Sequence, residues 1–148
     1  MKTILPVALL ALTAGAAFAE GDIAKGEKEF RKCKACHMIA SEDEVIQKGG
    51  KTGPNLYGVI GRAAGSVEDF RYSSLLKAAA ETGLVWDEEN LVAFLTDPTA
   101  YLKEVSGEGG RSKMSLKLKK NQEDMVAYLK SVGPVMEDAE AEASSEDS

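Results

Sequence analysis

Apolar positions recur at helical spacing in several short stretches, and no segment keeps up the two-residue alternation of a strand. Asp22 can cap a predicted helix running to about Lys34, with Ile23, Gly26 and Phe30 along one side. A glycine inside a helix weakens it relative to alanine, and close approach of a second helix is the natural reason to keep one there. Ser73 or Ser74 begins a short helix through Ala80, with Gly83 ending it. Asp87 begins another, with Leu91, Val92 and Leu95 on one face, and Asp97-Pro98 both ends it and opens the next. Asn121 is placed to cap a last helix whose apolar face is Met125, Val126, Leu129 and Val132, stopped by Gly133-Pro134. The expectation is an all-α domain of four to five short helices. They are joined by long loops, from Ser41 to Gly61 and again over Ser106 to Arg111.

The two ends of the chain read differently from its body. Lys2, an apolar run from Ile4 to Ala14 and the closing Ala17-Phe18-Ala19 have the plan of a secretory leader. That run is shorter than the roughly 20 residues of a membrane span. Cleavage after Ala19 is expected, with delivery to the periplasm of a bacterium. Residues 137–148 contain Glu137, Asp138, Glu140, Glu142, Glu146 and Asp147 with no apolar residue beyond alanine, which predicts a solvated, disordered tail. The expected domain therefore spans residues 20–136. The whole chain of 148 residues carries 18 basic and 24 acidic side chains, a formal charge of −6, which argues against nucleic-acid binding. Most of the excess lies in the tail.

Only nine of the 148 residues are aromatic, and short helices between long ordered loops make a poor core. Something other than side chains is needed to fill the interior. Cys33-Lys34-Ala35-Cys36-His37 supplies the reason, because C-x-x-C-H is the attachment signature of a c-type haem. Residues three apart on a helical turn share a face. Two thiols so placed can reach the two vinyl groups of one porphyrin edge, and the following His is carried to the iron. A redox C-x-x-C would need a strand–turn–helix setting that is not visible. A zinc site would need further Cys or His ligands, and His37 is the one His in the chain. A disulfide spanning two residues would be strained. A six-coordinate carrier needs a second axial ligand, and with no other His a Met thioether is the natural candidate. Met38 adjoins His37 and cannot cross the ring, Met125 lies on a helix face where Met commonly fills core, and Met136 adjoins the tail. Met114, after the Gly-rich loop, is the first choice.

At Cys33 to His37, Gly53-Pro54-Asn55-Leu56, Gly61-Arg62, Phe70 with Tyr72, Trp86, Asp97-Pro98, Tyr101 and Lys113-Met114, the chain resembles a class I cytochrome c. It looks most like the long bacterial type, cytochromes c2 and c550. The resemblance runs from about Gly21 to Val132 and implies the class I fold around one covalent haem. It implies that the Pro54 carbonyl accepts from His37, and that Arg62, Tyr72 and Trp86 surround the haem propionates. It also implies that Gly26 and Phe30 lie where the first helix crosses the last near Tyr128 and Leu129, and that Met114 is the sixth ligand. Two departures stand out: Leu116 replaces a common Phe, and loops Ala40–Gly50 and Lys103–Ser112 are longer than in short relatives.

The function implied is one-electron transfer rather than catalysis, from a cytochrome bc complex to a photosynthetic reaction centre or terminal oxidase, by a monomer that docks transiently. A haem enzyme or gas sensor would need an open distal side with an acid–base pair, and no second His exists. The resemblance places Lys32, Lys34, Lys48, Lys51, Lys113, Lys117, Lys119 and Lys120 around the exposed haem edge, which implies a docking face for acidic partners. Glu42-Asp43-Glu44, in the same loop as Lys48, runs against that pattern.

Overall fold

The computed structural model describes residues 20–134; the expected leader (1–19) and acidic tail (137–148) lie outside the described residues. Asp22 caps α1 (Ile23–Glu29), its Oδ1 accepting from the Lys25 N–H at 3.1 Å. The α-helix ends earlier than Lys34. Phe30–Lys32 form a 3₁₀ turn, and the Cys33 N–H donates to the Phe30 carbonyl at 2.8 Å. Such i to i+3 bonds tighten the chain. Two more bonds, from the Cys36 and His37 N–H groups to the Cys33 carbonyl (3.1 and 2.8 Å), fold the C-x-x-C-H segment into a compact turn.

The three helices α2 (Ser74–Glu81), α3 (Glu88–Thr96) and α4 (Pro98–Ser106) form as their caps dictate. Ser73 Oγ accepts from the Leu76 N–H at 3.1 Å. Asp87 and Asn90 form a reciprocal capping box at 2.8 and 2.9 Å. Asp97 closes α3 and caps α4 through the Ala100 N–H, with Pro98 at the first helical position. Helix α4 takes in Lys103 to Ser106, so that part of the expected loop is helical.

Helix α5 (Gln122–Val132) crosses α1 at Gly26, where a Cβ would stand 2.0 Å from the Asp124 carbonyl oxygen and 2.6 Å from Tyr128 Cβ. That is the close approach the internal glycine foretells. The rings of Phe30 and Tyr128 sit beside this crossing with centroids 6.0 Å apart. Asn121 does not cap α5 as expected. It is left-handed, with φ 61°, and the cap role needs extended backbone to turn the side chain onto the first turn. Its Nδ2 donates instead to Glu29 Oε1 at 3.1 Å.

Two strands also depart from the helical expectation. β1 (Ile39–Ala40) pairs antiparallel with β2 (Val45–Gln47), with an irregular register between Ile39 and Ala40. Elements of two and three residues are too short to show alternation. Gln47 Nε2 donates to Tyr128 Oη at 2.8 Å, which fastens the hairpin to α5. Phe30, Ile39, Leu75, Leu102, Met125 and Val126 are fully buried, and of these Met125 also lines a cavity. No helix among the described residues is long and apolar enough to cross a membrane.

Candidate functional site

A cavity of about 280 Å³ opens among these elements. All eight residues singled out for the cofactor line it: Cys33, Cys36, His37, Pro54, Arg62, Tyr72, Trp86 and Met114. They come from the turn after α1, the loops on either side of α2, and the segment between α4 and α5. The remainder of the wall is mostly apolar, with Leu56, Val59, Leu91, Phe94, Leu95 and Leu129 among its members.

His37 is 8 % exposed and its Nδ1 lies 2.8 Å from the Pro54 carbonyl oxygen. A carbonyl can only accept, so Nδ1 carries the proton and Nε2 keeps its lone pair. Burial holds the imidazolium below its ordinary pKa, while the Pro54 carbonyl works in the other direction. The ring is fixed from behind by Gly53, where a Cβ would stand 2.3 Å from His37 Cε1. Gly49 and Gly50 lie equally close to the backbone of the attachment turn, with Cβ positions 1.7 Å from the His37 carbonyl oxygen and 2.2 Å from that of Ala35. Main-chain bonds from Gly50 to Lys34 (2.9 Å) and from Gly53 to Cys36 (2.8 Å) complete this cradle.

Cys33 is buried and Cys36 exposed, and neither forms a disulfide. Burial first, then the Glu29 charge, pushes the Cys33 thiol up to about 11. The Arg62 guanidinium is half-buried, and burial lowers its pKa, with Tyr72 opposing. Its Nη1 donates to the Asn55 carbonyl at 2.8 Å and its Nη2 to that of Tyr57. Tyr72 Oη accepts from the Val67 N–H at 3.1 Å, and Phe70 packs edge-on against the Tyr72 ring at 4.8 Å. The Trp86 ring packs tilted against Phe94, with centroids 4.9 Å apart.

Met125, read from sequence as core filler, is indeed 1 % exposed but also reaches the cavity wall. Met114 sits in the irregular segment, its N–H donating to Ser112 Oγ at 3.1 Å. Of the docking lysines, Lys32 and Lys113 line the cavity, while Lys34, Lys51, Lys117, Lys119 and Lys120 are exposed residues that do not. Lys32 pairs with Glu29 at 2.6 Å, Lys117 pairs with Asp97 at 2.6 Å, and Lys113 donates to the Arg71 carbonyl at 2.7 Å.

Asn55 has a role that its sequence position did not disclose. Its Oδ1 accepts from the N–H groups of Ala40 and Tyr57, both at 3.1 Å, and its Nδ2 donates to the Ala40 carbonyl at 2.7 Å. The contact with Tyr57 is an Asx turn that local sequence could suggest. The pairing with Ala40, fifteen residues away, could not be read locally.

The donor set fits a c-type haem. Two cysteines three apart and an imidazole with a free Nε2 face an apolar cavity with a half-buried guanidinium in its wall. This defines the class of carriers built around a covalent porphyrin. The comparisons with known proteins agree, although no family model matches the chain. A cytochrome c-551 of Roseobacter denitrificans is 52 % identical over 133 residues, 88 % of this chain and 95 % of that protein. A cytochrome c2 of Rhodobacter capsulatus is 49 % identical over 136 residues, 89 % of this chain and 98 % of that protein. The crystal structure of ferric cytochrome c-550 from Paracoccus versutus superposes with a TM-score of 0.75 at 52 % identity, covering 78 % of this chain and 100 % of that one. The chain belongs to the class I cytochromes c, in the group of the bacterial cytochromes c2 and c-550. It is an electron-transfer protein rather than an enzyme, and it carries one covalently attached haem c.

Proposed function

We propose that the protein shuttles single electrons in the periplasm as a soluble monomer, from a cytochrome bc complex to a photosynthetic reaction centre or a terminal oxidase. Cys33 and Cys36 hold the haem, and His37 and Met114 are its axial ligands. The bound haem supplies an iron that takes up and releases one electron, with a thioether ligand favouring the ferrous state. The observation that carries the reading is the 2.8 Å contact between His37 Nδ1 and the Pro54 carbonyl, which leaves Nε2 as the ligating atom. Arg62 offers a fixed positive charge to the haem propionates, with Tyr72 and Trp86 close by in the same wall. Leu56, Leu91, Leu95 and Leu129 keep water from the interior.

The optical spectrum tests the ligand set. The ferric protein should show a six-coordinate low-spin haem with a sulfur-to-iron charge-transfer band. Met114→Ala should abolish that band and lower the reduction potential, whereas Met125→Ala should keep the band and lose stability. The reverse result would assign the ligand to Met125, which lines the same cavity.

A further inference from the structure

The segment from Gly107 to Leu118 carries Met114 and has no regular secondary structure. Among the described residues, no main-chain to main-chain hydrogen bond holds residues 108–117; the next such bond is Leu118 N–H to the Leu95 carbonyl, at 2.7 Å. Side chains do the tethering. Ser112 N–H donates to Thr99 Oγ1 at 3.1 Å, which fixes the entry to the segment against α4. Beyond it, Lys113 reaches back to the Arg71 carbonyl in the loop before α2, and Lys117 reaches Asp97 at the α3–α4 corner. The two lysines stand on either side of Met114, and each ends on a different neighbouring element. Both are exposed, so a lysine there needs no structural partner for its own sake, yet each has a charge-assisted contact of 2.7 Å or less.

We propose that Lys113 and Lys117 are positioning residues, which clamp the Met114 segment between the loop before α2 and the α3–α4 corner. This rests on Met114 being the axial ligand. The clamp acts on how often the segment lifts away, and so on how firmly the thioether is held. Lys113 is the more telling of the two, since its acceptor is a main-chain oxygen that no side-chain substitution removes.

Imidazole, a small neutral ligand for ferric haem, reports the open state of the segment without any protein partner. Lys113→Ala and Lys117→Ala should each tighten imidazole binding by about threefold or more, in line with the loss of one exposed charged contact. Lys119→Ala removes the same charge from a residue with no such contact among the described residues and should leave the affinity near wild type. Lys113→Arg, which can still donate to the Arg71 carbonyl, should restore most of the wild-type value. Exchange at the bonded amides of the segment, Ser112, Met114 and Leu118, should quicken in the two alanine variants and not in Lys119→Ala. Equal imidazole affinity and exchange in Lys113→Ala and Lys119→Ala would overturn the clamp. Met114→Ala separates the two levels: it should bind imidazole more tightly than any lysine variant. If it does while Lys113→Ala matches Lys119→Ala, the clamp fails and the ligand assignment stands. If Met114→Ala leaves imidazole binding unchanged, both fall.

Discussion

Gly53 occupies a position where any side chain would strike the ring of His37, and the ring has nowhere to go. It is held at Nδ1 by the neighbouring Pro54 carbonyl and is almost wholly buried. Gly53→Ala should therefore act as overpacking, which typically costs about 1–3 kcal/mol. Gly107 offers the contrast. Its φ of 70° favours glycine, but a Cβ there would meet nothing within 4 Å. Gly107→Ala should cost only the left-handed strain of roughly 1–2 kcal/mol and leave the haem spectrum untouched. Thermal melting and visible circular dichroism of the two variants, side by side, check this. A Gly53→Ala protein with an unaltered haem signal would mean that the ring is not confined as the geometry indicates. What was legible in the sequence was a set of chemically distinctive residues: thiols three apart, a lone His and a Met beyond a Gly-rich loop, which all line one cavity. Residues whose role is to hold others in place were less so. Neither Asn55 with Ala40 nor Glu29 with Asn121 is a local relation, since these pairs meet only after the chain folds.

At the level of elements, the corner between α3 and α4 depends on a single carboxylate. Asp97 Oδ1 caps α4 while Oδ2 pairs with Lys117, and the Lys117 bond, then the Ala100 N–H, hold the carboxyl below its ordinary pKa of 3.8. With the folded value depressed, the unfolded chain binds the proton more readily, so stability rises with pH through this range. The contribution is complete above 3.8 and is lost as pH falls through the lower, folded value. Asp97→Asn keeps an oxygen for the cap and loses the charge. Its deficit against wild type in urea unfolding should be largest near neutrality and should shrink on acidification below the ordinary carboxylate range. A deficit constant with pH would show that the cap geometry, not the charge, was disturbed. Caps explain why the helices could be read in advance: Asp22, Ser73, Asp87 and Asp97 each accept a bond from a first-turn N–H. Asn121 has the right chemistry in the wrong backbone conformation, and only the packing of α5 against Glu29 decides that. The hairpin was hidden for the opposite reason. Its strands are too short for a pattern, and Tyr128 of α5 supplies the hold on Gln47 that five residues of ladder do not.

At the scale of the whole molecule, the described body is almost balanced in charge, so steering depends on arrangement rather than on net charge. Lys32 and Lys113 line the cavity, Lys34, Lys51, Lys119 and Lys120 form no ion pair among the described residues, and Lys32 and Lys117 each have a carboxylate beside them. A lysine and its paired carboxylate together contribute little field at a distance. Removing the lysine alone uncovers the negative charge and changes the field by a full unit. This gives a test on the association rate with a purified cytochrome bc complex at low salt. Lys119→Glu and Lys34→Glu should slow it severalfold. Glu89→Lys serves as the acidic control, because Glu88 is tied to Lys130 between α3 and α5. It should change the rate little. The differences should fade as salt rises, since the screening length is only about 8 Å at physiological ionic strength. Lys117→Gln should also slow association, and combining it with Asp97→Asn, which restores the charge balance, should return the rate close to wild type. The same double variant should still bind imidazole more tightly than wild type, because the bond to the Met114 segment is gone even though the charge is balanced. Steering and clamping would then be shown as separate duties of Lys117. A double variant that stays slow at every salt concentration would show instead that the loosened segment, and not the charge, limits the encounter.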